Sequence, residues 1–263
     1  MKWNPEDYAK NSSAQLVWAK DLIAKLGLQG HETLLDVGCG EGKITAEFAT
    51  AVPDGLVLGV DSSKEFIDYA QRHYPTSQYA NLQFLTMDAR KLEANHPFDV
   101  IFSNATLHWV DDHQAFLAGC SRLLAPQGKL IVSCGGAGNA AGILAVMDRL
   151  IQGPRWGRYF TTFVFPYFFY SDTQYARWLP EAGLSPERLE LVEKDMTHRD
   201  PEGLAGWLRT TWMPYTDCIP AELREAFISD VVQDYLSVYL LDASGQSHVK
   251  MVRLEVEAQP GIA

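Results

Sequence analysis

Leu34-Leu35-Asp36-Val37-Gly38-Cys39-Gly40-Glu41-Gly42-Lys43-Ile44-Thr45-Ala46-Glu47-Phe48-Ala49 is the stretch on which the fold turns. An apolar run enters Asp36, glycines follow at 38, 40 and 42, and a helical pattern begins at once. That order reads as a buried strand, a tight turn and a helix N-terminus. Residues without Cβ let a ligand approach the backbone, and the first N–H groups of the helix face it.

Spacing narrows the ligand. A dinucleotide fingerprint needs a glycine or alanine three places after the second glycine, but Lys43 stands there and Gly42 comes one place early. Lys43 precedes Ile44, so the Gly-Lys-Ser/Thr ending of a P-loop is absent. Asp36 would repel a phosphate and attract a cation or an ammonium group. A second apolar run, Leu56 to Val60, ends on Asp61, with Ser62 and Ser63 able to cap a helix over 64–73. An acid at that strand end is placed to accept hydrogen bonds from ribose hydroxyls. Strand three, Leu82 to Met87, ends on Asp88-Ala89, where a carboxylate can take an adenine amine. Strand four, Phe98 to Phe102, runs into Ser103-Asn104-Ala105 and on to His108-Trp109.

The totals bound the rest. At 263 residues and 47% hydrophobic content the chain can build one large α/β domain. A net charge of −11 argues against nucleic acid as a partner, because a phosphate backbone needs a basic stripe. Cys39, Cys120, Cys134 and Cys218 show no paired spacing, so reduced thiols and a cytoplasmic location are expected. The histidines lack metal-ligand spacing, and no metal is expected. The N-terminal residues carry charges without an apolar stretch, and no run reaches the length of a membrane span.

A helix over 111–124, the turn Pro126-Gln127-Gly128 and a fifth strand, Lys129 to Cys134, complete an alternation of strands and helices. A doubly wound, mostly parallel sheet follows. The alternation then lapses. Residues 140–247 read as a mainly helical cap holding one strand, Leu189 to Lys194, before a final alternating strand, Val249 to Ala258. The expected layout is one domain of 263 residues, with a helical segment over the site at 1–30, the sheet core at 31–139 and 248–258, and the cap between. Trp156 to Tyr170 packs nine aromatics into fifteen residues, a density that suits either a lid over a cavity or a hydrophobic seam.

The residues D36-V-G-C-G-E-G42, V60-D-S-S63, D88-A89 and F98-DVIFSNATLHW109 together resemble the class I S-adenosylmethionine-dependent methyltransferases. The resemblance covers residues 31–135 and implies a Rossmann-like, seven-stranded sheet with its last strand antiparallel. The cofactor would lie across the C-terminal ends of strands one to four. By this resemblance Gly38 and Gly40 pass the methionine part, Asp61 binds the ribose, and Asp88 and Ala89 face the adenine. With Asp36, Ser62 and Asn104 these form the expected cofactor set, and S-adenosylhomocysteine would be the product.

Three segments are candidates for the acceptor. Tyr8, Asn11 and Gln15 share one face of an N-terminal helix. His108 beside Trp109 can orient an acceptor, while an indole face steadies a sulfonium. Trp207-Leu-Arg209-Thr-Thr-Trp212-Met-Pro-Tyr215 sets an arginine fork among aromatic rings, a pattern suited either to a carboxylate anchor or to a surface ion pair. The Tyr8/Asn11/Gln15 and Leu107-His108-Trp109 patterns look like juvenile hormone acid methyltransferases; Ser103-Asn104-Ala105 and Trp207 to Trp212 look like trans-aconitate methyltransferases. Both groups methylate a small-molecule carboxylate. The resemblance implies that Gln15, His108 and Trp109 contact that carboxylate, with Arg209 a second anchor and the acceptor a small, partly apolar acid. The alternatives are methylation of a hydroxyl, nitrogen or carbon centre with His108 as base, or a cofactor-binding protein without turnover.

Overall fold

A computed structural model describes Ile23 and residues 26–261. The glycine stretch folds as its pattern requires. Strand β1 (Thr33–Val37) is buried over its last four residues and turns into helix α1 (Lys43–Ala51). Then follow β2 (Leu56–Asp61), α2 (Lys64–His73), β3 (Leu82–Thr86), β4 (Phe98–Asn104), α3 (His113–Leu123) and β5 (Leu124–Gly135). Ser63 caps α2, its Oγ accepting the Phe66 N–H at 3.3 Å. Asp112 caps α3 in the same way, accepting the Ala115 N–H at 2.9 Å. These side chains satisfy amides that the first helical turn leaves unpaired.

The chain continues through α4 (Ala141–Gln152), α5 (Asp172–Glu181), β6 (Leu184–His198), α6 (Pro201–Thr211), α7 (Met213–Thr216), α8 (Arg224–Val238) and β7 (Ser247–Pro260). The seven strands form one open sheet in the order β3-β2-β1-β4-β5-β7-β6. Pairings among β1 to β5 are parallel, and β7 runs antiparallel to β5. Both faces are covered, so alternate residues of a strand enter different cores. Leu35 and Ile101 pair across β1 and β4 and join Phe116 and Leu117 of α3; their neighbours Leu34 and Val100 join Phe48 of α1 and Ile67 of α2. Strand order reverses between β1 and β4. That switch point opens a crevice at their C-terminal ends.

Two strands are longer than the sequence suggests. The expected strand at 189–194 is the centre of β6, and β5 begins at Leu124 rather than Lys129. β6 is largely exposed or half-buried along its length, so its apolar signal is faint.

Contacts divide the chain into two compact units. The sheet unit holds the described residues up to Ala137 with 167–192 and 253–261; the other holds 138–166 and 193–252. In the second unit α8 packs on α4 and α6. Trp156 donates its Nε1–H to Asp230 at 2.8 Å and meets Phe227 edge-on at 5.3 Å. The aromatic run is thus shared: Trp156, Phe160 and Phe163 pack within the second unit, while Tyr167 to Tyr170 belong to the sheet unit.

Candidate active site

The turn after β1 is tied to β2 by its backbone. Gly38 and Cys39 donate to the Val60 carbonyl at 2.7 and 3.0 Å. Asp61 then folds its carboxylate back, accepting the Gly40 N–H at 3.1 Å and the Ser63 N–H at 2.8 Å. Two glycines here are required for different reasons. A Cβ on Gly38, at φ +77, would lie 2.1 Å from the Thr106 side chain, so the clash is with the protein itself. Gly40, at φ +54, has no atom within 4 Å of its Cβ position and leaves the turn open to a ligand.

A cavity of about 260 Å³ sits at these strand ends, bounded by Val37, Gly38, Asp61, Ser62, Met87, Asp88, Ala89, Arg90, Thr106, Trp109, Val110, Asp111 and Phe168. Five expected cofactor residues, Gly38, Asp61, Ser62, Asp88 and Ala89, line it together with Trp109. Asp36, Gly40 and Asn104 do not. Asp36 is buried beneath the turn and accepts the Thr45 hydroxyl at 2.7 Å. Burial, with the charges of Asp61 and Glu41 adding, pushes its carboxyl up to about 7. Burial also raises Asp61, against the lowering effect of its two amide donors. Asp88 moves the other way. Arg90 grips both its oxygens and reaches Asp111 at 2.8 Å, and that contact holds the Asp88 carboxyl below the usual range.

Asn104 does not line the cavity and instead meets Arg253. This buried arginine of β7 donates through Nη2 to Asn104 Oδ1 at 3.1 Å and to the Ser133 carbonyl at 2.6 Å. Sequence reasoning missed it, since a lone arginine in an alternating strand carries no local signal. Met87 and Val110 were within reach, as apolar neighbours of chosen residues. Phe168 was not, because it is brought in by a long-range bond from its N–H to the His108 carbonyl at 2.9 Å.

His108 lies on a short turn, Leu107–Trp109, among the rings of Trp109, Tyr167 and Phe169, with centroids 5.9, 6.1 and 6.2 Å away. Its Nδ1 accepts the Gly135 N–H at 3.2 Å. A neutral imidazole so held carries its proton on Nε2. Burial, then the charges of Arg253 and His113, push its pKa down to about 3. His113 supports this turn from below. Its Nε2–H donates to the Leu107 carbonyl at 2.7 Å, leaving Nδ1 to accept the Tyr175 hydroxyl at 2.6 Å.

Tyr8, Asn11 and Gln15 fall outside the described residues. Arg209 is exposed on α6, and its fork is taken up by Glu225 at 2.7 Å and Glu202 at 3.3 Å, the ion pair that an acidic chain makes available. Trp207, Trp212 and Tyr215 meet edge to face in series within the second unit, at 5.7 and 6.1 Å, with Phe163 beyond at 4.6 Å. The buried Trp207 Nε1–H and Tyr215 hydroxyl find no hydrogen-bond partner among the described residues. Each such orphan costs about 1–3 kcal/mol. Among the described residues no cluster of three His, Cys, Asp or Glu could hold a metal, and no helix is long and apolar enough to cross a membrane.

An open, doubly wound sheet with a glycine turn and two acidic strand ends around a cavity at its switch point defines a nucleotide-cofactor protein. Comparison with known proteins gives the class. Residues 35–132 match the family model described as a methyltransferase domain. The chain is 30% identical over 196 residues to the uncharacterized methyltransferase C70.08c of Schizosaccharomyces pombe, covering 73% of this chain and 74% of that one. To trans-aconitate 2-methyltransferase of Methylobacterium nodulans it is 27% identical over 262 residues, covering 98% of each. Phosphoethanolamine N-methyltransferase 2 of Haemonchus contortus, solved with S-adenosylhomocysteine, shares the fold with a TM-score of 0.58 at 17% identity, over 93% of this chain and 53% of that one. The chain belongs to the class I S-adenosylmethionine-dependent methyltransferases and is an enzyme of that kind.

Proposed function

We propose that this methyltransferase forms methyl esters on a small, partly apolar acid. The residues at the cavity fit the cofactor: Asp61 for the ribose, Ser62 beside it, Asp88 and Ala89 for the adenine, and Gly38 and the open side of Gly40 for the methionine part. Asp36 lends negative charge from beneath the turn, and Asn104 acts from the end of β4. When bound, the cofactor supplies a methyl group on a sulfonium.

The observation that carries the acceptor reading is the tautomer of His108. With Nδ1 occupied by Gly135, the neutral ring offers an Nε2–H. A donor suits a carboxylate oxygen, which is already ionised and nucleophilic at neutral pH and needs no base. A hydroxyl, nitrogen or carbon acceptor would need His108 to take a proton, and an imidazole pushed down to about 3 is a poor base. His108 and Gln15 would orient the acid, Trp109 would present its ring, and Tyr167 and Phe168 would exclude water; Tyr8 and Asn11 complete the expected acceptor set. Catalysis then rests on alignment and on desolvating two opposite charges together. The near full-length likeness to an enzyme named for trans-aconitate supports an acid acceptor.

The test is incubation with methyl-labelled cofactor and a panel of small acids. Methanol released by mild base from the product is the expected result. Label that stays bound through base treatment would overturn the ester reading, and no calorimetric binding of the cofactor would overturn the cofactor assignment.

A further inference from the structure

Arg253 is 4% exposed, on β7, which runs antiparallel to β5. Its Nε and Nη2 both donate to Ser133 Oγ, at 3.2 and 3.1 Å, and Nη2 also meets the Ser133 carbonyl and Asn104. Asn104 and Ser133 are partners in the β4–β5 register, so one guanidinium fastens two strand ends. The Ser133 carbonyl receives a second donor, the N–H of Ala105 at 2.8 Å. Ala105 is one of two non-glycine residues with positive φ among the described residues, at +57. A residue bearing Cβ stays in that region only when its surroundings hold it there. The strained corner it makes leads into Thr106, on the cavity, and then His108. In the β5–β7 ladder Arg253 lies opposite Gly135, whose N–H fixes the His108 ring.

We propose that Arg253 is a positioning residue for methyl transfer: it pins the strained β4 corner that aims His108. This rests on the reading that the His108 Nε2–H meets an acceptor carboxylate. The guanidinium also disfavours a second positive charge on the ring it helps to place. The described charged or titratable groups that bear on His108 are Arg253 from β7, His113 from the start of α3 and Tyr167 from the aromatic run. Arg253 is the one among them that is permanently charged.

The experiment uses the full chain and Arg253→Met, with Arg253→Lys as the variant that keeps charge but loses the planar fork. Three quantities are read: cofactor Kd by calorimetry, kcat and KM with trans-aconitate and benzoate as acid probes, and the titration and tautomer of His108 by nitrogen NMR. Expected for Arg253→Met are a cofactor Kd within about 3-fold of wild type, an acid KM raised about 100-fold, and a His108 titration moved up from that of wild type while burial still holds it below ordinary imidazole values. Arg253→Lys should return the titration close to wild type and KM to within about 10-fold, with kcat lowered because the corner is less firmly held. An unchanged acid KM and His108 titration in Arg253→Met would overturn the proposal. So would parallel loss of cofactor binding and turnover in both variants, which is what a purely structural staple would give. If Arg253→Met does not fold, the lysine variant decides, since wild-type kcat there would remove the positioning role. An Nε2 found without its proton in wild type, or no turnover of either acid, overturns the His108 reading instead; the movement of the titration still reports on Arg253.

Discussion

The glycine turn after β1 and the corner after β4 are built on different principles. Around the turn Asp61 ties the backbone with its carboxylate, holding Gly40 and Ser63, 21 and 2 residues away. At the β4 corner the ties span the chain, with Arg253 reaching 149 residues back to Asn104 and 120 to Ser133. The first is the proposed cofactor end. The second leads to His108, the proposed acceptor end, and long-range packing shapes it.

The sharpest way to break the cofactor end is Gly38→Ala. Its methyl would collide with Thr106 at a φ that alanine resists. Cofactor affinity should fall by more than about 100-fold, with a lowered Tm; calorimetry and thermal melts report both. Gly40→Ala should separate the two reasons, losing affinity while keeping more of the Tm, because no protein atom is in its way.

At the acceptor end, His108→Ala should lower kcat/KM about 100-fold, the typical worth of one preorganised donor, with cofactor affinity unchanged. His108→Gln, whose amide can still donate, should recover part of that loss. A general base would not be replaced in this way. Because burial and Arg253 hold His108 near 3, ionisation of this ring should put no acid limb on the rate between about pH 5 and 8.

The electrostatics of the two ends also differ in sign. Asp36, held up near 7, is partly protonated at neutral pH, so affinity for a cationic cofactor should tighten, by up to about 10-fold, as pH rises from 6 to 8. Asp36→Asn should flatten that dependence in calorimetric titrations. In the cofactor-free chain the raised carboxyl contributes stability that is present at low pH and lost as pH climbs from about 4 through 7, so the same variant should flatten that part of the Tm profile. Arg209→Ala removes an exposed ion pair with Glu225 and Glu202. Exposed ion pairs contribute about 0–1 kcal/mol, so Tm and kcat/KM should stay within experimental error of wild type, and a KM raised tenfold would restore Arg209 as an acceptor anchor.

Much of the cofactor end was legible because its signals are local. The apolar run into Asp36, the glycine spacing and the acids closing the next two strands place Gly38, Asp61, Ser62, Asp88 and Ala89 on one cavity. Gly38 lines the cavity, and the structure adds a second reason for its missing Cβ, the Thr106 side chain packed against it. Asp36 and Asn104 were found as residues but not by contact, since one is buried against Thr45 and the other is turned to Arg253. The aromatic run was visible as composition alone. That its second half packs on His108 and Trp109 depends on a backbone bond between residues 168 and 108.

The sequence by itself determined the class of fold, the strand ends that meet at the switch point and the kind of ligand held there, because periodicity, glycine and capping residues act on their immediate neighbours. Only the tertiary structure decided which nitrogen of His108 carries the proton, that Arg209 is spent on glutamates and that Arg253 fastens the ends of β4 and β5. Those are properties of groups brought together from distant parts of the chain, and their protonation and charge depend on the water that packing removes.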